Sequence, residues 1–196
     1  MNYSSRKWFI FLLANLGLLV GCSNNATKNH DASNHDSSTA SMDNSRKSIP
    51  AEAKKRIGNT DIKINYTAPA VRGRAIWGEL VPYNKVWVTG AHMASAMEVG
   101  KDFKVNDKII PSGKYAIFTI PGKEEWIIII NKNWDQHLAD EYSANDDVVR
   151  LNVKPTFTEE VTERLNYAID QTGEKTGQVV ISWEKIRLAF PIEIMQ

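Results

Sequence analysis

Lys185-Ile186-Arg187-Leu188-Ala189-Phe190-Pro191-Ile192-Glu193-Ile194 places a large apolar side chain at every second position. Successive side chains of a strand point to opposite faces, so this run lays one face on a core and turns the other to water. Pro191 has no backbone N–H to offer a neighbour and marks an edge or a bend. The same period recurs in Ile62, Ile64 and Tyr66, in Val149, Leu151 and Val153, and in Leu165, Tyr167 and Ile169. Trp126 to Ile130 is apolar without interruption, which predicts a central strand covered on both faces.

The connections have turn chemistry. Asn106-Asp107 suits a two-residue hairpin, because both residue types tolerate positive φ. Pro111-Ser112-Gly113 and Pro121-Gly122 bracket another strand over Lys114–Ile120. Only Thr158 to Thr162, Thr-Glu-Glu-Val-Thr, reads as a turn of helix in this part of the chain. About nine or ten short strands over roughly 140 residues predict an all-β domain, a single antiparallel β-sandwich with a barrel-like closure as the alternative. The domain spans residues 58–196 on this reading, since alternation sets in near Gly58.

Upstream the composition changes. Arg6 and Lys7 precede the apolar stretch Trp8–Val20, which is too short to cross a bilayer as a helix. Leu19-Val20-Gly21-Cys22 then resembles a bacterial lipobox, in which the cysteine thiol carries diacylglycerol before cleavage. Residues 1–21 are therefore expected to be a lipoprotein signal peptide, and Cys22, the only cysteine, the lipidated residue. Residues 22–57 read as a lipid-anchored flexible tether rich in Ser, Asn, Asp and Thr, with too little apolar surface to offset ordering entropy. They include a near-repeat, Asn29-His30-Asp31-Ala32-Ser33 and Asn34-His35-Asp36-Ser37-Ser38, and a segment Ala51–Arg56 that allows one helical turn. Ser23 and Asn24 after Cys22 include no acidic residue, which by resemblance to enterobacterial sorting rules makes the outer membrane, facing the periplasm, the expected location.

Charge excludes one class of partner. The 24 basic and 23 acidic residues give a net charge of +1, and loss of Arg6 and Lys7 with the signal peptide brings it to −1. A near-neutral chain without a long basic stretch has no electrostatic reason to seek nucleic acid. Membrane attachment instead rests on the acyl chains, at about 0.8 kcal/mol per buried methylene.

Three blocks carry a family resemblance. Arg72-Gly73-Arg74-Ala75-Ile76-Trp77-Gly78-Glu79-Leu80-Val81-Pro82-Tyr83-Asn84-Lys85-Val86-Trp87-Val88-Thr89-Gly90-Ala91 is the first. Ile110-Pro111-Ser112-Gly113-Lys114-Tyr115-Ala116-Ile117-Phe118-Thr119-Ile120-Pro121-Gly122 is the second, and Trp183-Glu184-Lys185 with the run to Ile194 is the third. In this order they are similar to the family catalogued as Domain of Unknown Function 2911, over about residues 60–194. The resemblance implies a secreted or lipid-anchored bacterial protein with a β-rich domain, and no assigned reaction. Val88 departs from the arginine expected there, and His92-Met93 from an asparagine followed by an acid.

Most catalytic classes find no residues. A Gly-x-Ser-x-Gly elbow, a phosphate-binding glycine loop and a cysteine pair are all missing from the sequence. The adjacent carboxylates Glu124-Glu125, Asp146-Asp147 and Glu159-Glu160 face opposite ways on a strand, which suits solvated turns better than acid–base work. Two candidate sites remain. Arg72, Arg74, Trp77, Tyr83, Lys85 and Trp87 combine aromatic rings with fixed cations, a set suited to a sugar or an anionic small molecule. His92 and His137, with Met93, Met97 or Glu141, supply donors for a late transition metal if their loops meet. Against these stand the ordinary fates of such residues, tryptophan in a sandwich core and histidine hydrogen-bonded at a surface.

The expected function is a lipid-anchored envelope protein acting as a non-catalytic binding or structural module, with no cofactor. The alternative is a metal-binding protein or metal-dependent enzyme using His92 and His137. A docking adaptor for another envelope protein would instead expose an aromatic patch around Trp77 or Trp87.

Overall fold

The computed structural model describes residues 47–195. The signal peptide, Cys22, the near-repeat and the tether up to residue 46 lie outside the described residues. Ten strands follow one another: β1 (Ile49–Ile57), β2 (Thr60–Ala68), β3 (Ser95–Val99), β4 (Phe103–Val105), β5 (Lys108–Ile110), β6 (Gly113–Ile120), β7 (Trp126–Asn131), β8 (Asp147–Val153), β9 (Thr156–Gln171) and β10 (Thr176–Ile194). A six-stranded sheet runs β1-β2-β3-β6-β7-β8 and a four-stranded sheet runs β5-β4-β10-β9, with neighbouring strands antiparallel throughout. The two sheets pack as a sandwich, and the barrel-like alternative is not adopted.

The alternating runs do what their period demands. Ile186, Leu188, Phe190, Ile192 and Ile194 face the four-stranded sheet's partner and are buried, as are Ile62 and Ile64 opposite them. Each such side chain contributes about 1.5–3 kcal/mol by leaving water. Pro191 falls between the two registers of β10, which pairs β9 up to Arg187 and β4 from Glu193. The Asn106-Asp107 hairpin forms between β4 and β5, with Asn106 at φ 51°.

Further back along β10 the phase reverses. Val179, Ile181 and Trp183 are buried at odd positions, whereas the run from Ile186 is buried at even ones. The register breaks on both sides of Glu184, whose φ is 55°. A bulge here lets Trp183 and Ile186 both point inward. On the facing strand the pairing steps from Thr162 to Phe157 while β10 steps only from Glu184 to Ile186. Thr158–Thr162 is therefore not the expected turn of helix. These residues belong to β9 and bow out from its edge, leaving Phe157 and Val161 exposed.

The N-terminal boundary also moves. Ala51–Arg56 is part of strand β1, not a helical turn or the end of a tether, and the folded domain starts by Ile49. β1 pairs β2 along its whole length, from Ile49↔Ala68 to Ile57↔Thr60. Ala53 and Ile57 are buried among lysines and arginine that stay in water. Alanines beside so many charges gave a weak alternation.

Two long connections position the rest. β2 and β3 are neighbours but are joined by residues 69–94, and β7 and β8 by residues 132–146. Val71, Ile76 and Val81 of the first loop join the main core, whereas residues 86–94 and the second loop pack on the outer face of the large sheet. There Val88, Ala94, Ala116, Phe118 and Ile129 form a second apolar cluster, against which Trp134, Ala139 and Tyr142 lie. This explains why β7 is apolar throughout: Ile128 and Ile130 face the main core, Ile129 the second.

A chain beginning at residue 58 should melt about 10 °C or more below one beginning at residue 47, because it loses Ile57 from the core and bares the edge of β2. Equal melting temperatures would show that β1 contributes nothing to the domain.

Candidate functional site

Segment 69–74 leaves β2 and adds itself to the edge of β9. Leu165 N–H donates to Pro69 O (3.0 Å) and Val71 N–H to Glu163 O (2.8 Å). The Arg72 N–H then donates to the Glu163 carboxylate at 2.9 Å. Arg74 folds back over this segment, its Nε and Nη2 donating to the carbonyls of Val71 and Ala70.

Residues 87–94 return across the sheet. Trp87 exchanges backbone bonds with Thr119, at 2.8 and 3.0 Å, and its Nε1 donates to Gly90 O. Ala91 N–H donates to Thr67 O, while Ser95 Oγ and the Tyr167 hydroxyl both donate to Thr89 O, at 2.8 and 2.9 Å. Gly90 is crowded: a Cβ there would sit 2.8 Å from Ser95 Oγ. Burial pushes the Tyr167 hydroxyl far above its usual range, so it stays a donor.

Loop 132–146 is organised by buried Asn131. Its Nδ2 donates to Ser143 O and Asp147 Oδ1, and its Oδ1 accepts from Asn133 N–H. The loop then reaches residues 92–94. Met93 and His137 form an antiparallel bridge, Leu138 N–H donates to His92 O at 2.6 Å, and Ala94 N–H to Gln136 O at 3.0 Å. The two histidine loops do meet.

Together these segments enclose a cleft of about 370 Å³, lined by Arg72, Arg74, Trp87, His92, His137 and Trp183, with Leu80, Val81 and Leu138 among its apolar walls. Its volume lies at the small end of organic-ligand sites. Backbone strain concentrates there. Of the seven non-glycine residues with positive φ among the described residues, Arg72 (53°), His92 (64°) and Leu138 (49°) line the cleft. Thr89 (50°) precedes Gly90 in its wall, and Glu184 (55°) follows Trp183. A β-branched or bulky residue in this conformation costs about 1–3 kcal/mol and persists only where its surroundings over-determine it.

Below the cleft lies a tryptophan cluster. Trp87 stacks on Trp183 at 5.4 Å and 21°, and Trp77 meets Trp87, Trp126 and Trp183 edge-on, at 5.8, 4.8 and 5.6 Å. Trp77 Nε1 donates to Glu184 Oε2. The Trp183 Nε1–H and Gln136 Oε1 are buried without a hydrogen-bond partner, and both residues belong to segments that build the cleft.

The candidate residues thus divide. Arg72, Arg74, Trp87, His92 and His137 converge on one cleft, merging what the sequence offered as two sites. Trp77 sits in the tryptophan cluster instead, and Tyr83 packs against Gly78, where a Cβ would come within 2.8 Å of its ring. Lys85 and Glu141 are exposed and do not line the cleft. His137 Nδ1 pairs with Asp140 Oδ2 at 3.1 Å. Among the described residues no three His, Cys, Asp or Glu side chains are grouped to hold a metal. Trp183 and Leu138 were not among the candidates. The phase reversal between Trp183 and Ile186 was the one signal that pointed to the first.

A family model described as "protein of unknown function (DUF2911)" matches residues 48–192. The chain belongs to this family. The match takes in every residue that lines the cleft, and it begins at Ser48, directly before β1. No curated protein and no solved structure matches the chain. The cleft is thus part of the DUF2911 domain itself.

Tyr167→Phe should cost about 1 kcal/mol, since Thr89 O keeps the Ser95 bond. Its hydroxyl is raised in the fold and ionises near pH 10 once unfolded, so the stability it contributes is complete below about pH 10 and is lost above it. Melting curves from pH 7 to 11 should show a shallower alkaline decline for the variant. An identical decline would place the alkaline sensitivity elsewhere.

Proposed function

We propose that this chain is an exported, lipid-anchored binding protein of the bacterial cell envelope, and that the cleft between Arg72, His92 and His137 takes a small ligand. The observation that carries the binding role is the strain: three residues lining one cleft hold left-handed backbone, although none is glycine. Strain of this kind gathers where a rigid scaffold presents groups to a ligand. Long loops held on a packed sheet are the usual bearers of such sites. Buried Asn131 and the second apolar cluster fix these loops before any ligand arrives. Anchoring is supported by the lipobox-like Leu19-Val20-Gly21-Cys22 and the polar stretch after it. The metal reading loses ground at the same place, because two arginines line the cleft with the two histidines and repel a cation.

Two measurements test this reading. Replacing Cys22 by serine should abolish incorporation of labelled fatty acid and move the protein from the membrane fraction to the soluble one; unchanged membrane association would sink the anchoring claim. For the cleft, a thermal-shift screen of small organic molecules should give stabilising compounds whose effect disappears in Ala91→Phe, which fills the site. Shifts that persist in that variant would place the binding elsewhere.

A further inference from the structure

The charges around the cleft are one-sided. Two arginines and two histidines line it, and among the described residues no aspartate or glutamate does, although the chain as a whole carries nearly equal numbers of acids and bases. The neighbouring carboxylates are engaged outside the lining: Glu163 accepts from the Arg72 backbone, Asp140 pairs with His137 Nδ1, and Glu184 accepts from Trp77 and from Lys185 N–H. Arg74 donates to two backbone carbonyls and meets no carboxylate among the described residues. A pocket lined with one sign of charge against low-dielectric walls concentrates ligands of the opposite sign.

The walls are apolar. Leu80 is 46% exposed and Leu138 39%, two of the six large hydrophobic residues left in water among the described residues. Both line this cleft, beside the stacked pair Trp87 and Trp183. Scattered exposed leucines are ordinary, but two of them facing one set of cations form an amphipathic site. Resting on the binding role proposed above, we infer that the ligand is a small organic anion, a carboxylate, sulfonate or phosphate ester with an apolar body. The head group meets Arg72, Arg74, His92 and His137, and the body lies between the leucines and the indole rings. A bare inorganic ion leaves those apolar walls uncovered, and a sugar brings no charge for the basic lining to attract.

Two dyes of the same shape separate the contributions: anilinonaphthalene sulfonate and its uncharged analogue N-phenylnaphthylamine. The protein is the mature chain, residues 22–196, with Cys22→Ser so that no lipid competes. Energy transfer from tryptophan reports binding near Trp87 and Trp183. The sulfonate should bind one-to-one and at least about tenfold more tightly than the neutral dye, the difference expected of one charge-assisted contact. Arg72→Asn with His92→Asn should weaken the sulfonate about tenfold and leave the neutral dye within about twofold, since asparagine accepts the left-handed backbone at both positions. His137→Asn, at an exposed residue without positive φ, is a second probe should the double variant unfold. Equal affinity for the two dyes, or sulfonate binding that both variants leave intact, overturns the anion inference while the cleft stands. Binding of both dyes to Ala91→Phe as to the unaltered chain overturns the cleft reading itself. Failure of the sulfonate to bind the unaltered chain also overturns the inference.

Discussion

Glu184 holds a left-handed backbone in the middle of the longest strand, and much of the domain is arranged around that one irregularity. A regular strand would turn either Trp183 or Ile186 outward, since their positions differ in parity. The bulge turns both inward, and the Glu184 carboxylate then anchors the Trp77 indole and the Lys185 N–H. Four tryptophans meet as a result, with ring separations of 4.8 to 5.8 Å. Aromatic pairs of this kind add about 0.5–1.5 kcal/mol each beyond their burial, enough to offset the cost of one left-handed glutamate.

Above that cluster the protein puts loops where a sandwich normally meets water. Residues 69–94 and 132–146 carry few regular hydrogen bonds of their own, yet they are fixed by Asn131, by the Thr89 carbonyl with its two donors, and by Lys114 lying 3.5 Å over the Trp134 ring. The cleft is the gap left where these loops pass segment 69–74. Its chemistry is therefore set by loop residues and its shape by the sheet beneath.

The two-residue period made the core legible because each of its strands buries one face and wets the other. β1 was harder to see: Ala51 and Ala53 bury little area, and Lys54, Lys55 and Arg56 after them resemble a solvated spacer. Thr158–Thr162 misled for a different reason, since a strand bowed outward is exposed on both faces and has no period to read. At the site, residue types were enough to single out Arg72, Arg74, Trp87, His92 and His137. Their convergence was not readable, because it depends on the Met93–His137 bridge and on the pairing of segment 69–71 with β9. Trp77, Tyr83, Lys85 and Glu141 were singled out on the same aromatic or charged character but have other surroundings. Composition cannot distinguish the two groups.

The lining of the cleft is drawn from positions as far apart as Arg72 and Trp183, and both sheets contribute to its supports. Contacts of such long range close large loops and form late in folding. Hence no partly folded chain displays the site, and a ligand that occupies it selects the finished domain alone. Occupancy then adds RT ln(1 + [L]/Kd) to the folding free energy, about 2.7 kcal/mol at a hundredfold excess over Kd. For a domain with no cysteine among its described residues, and so no disulfide to lock it, an occupied cleft doubles as a gauge of its completion.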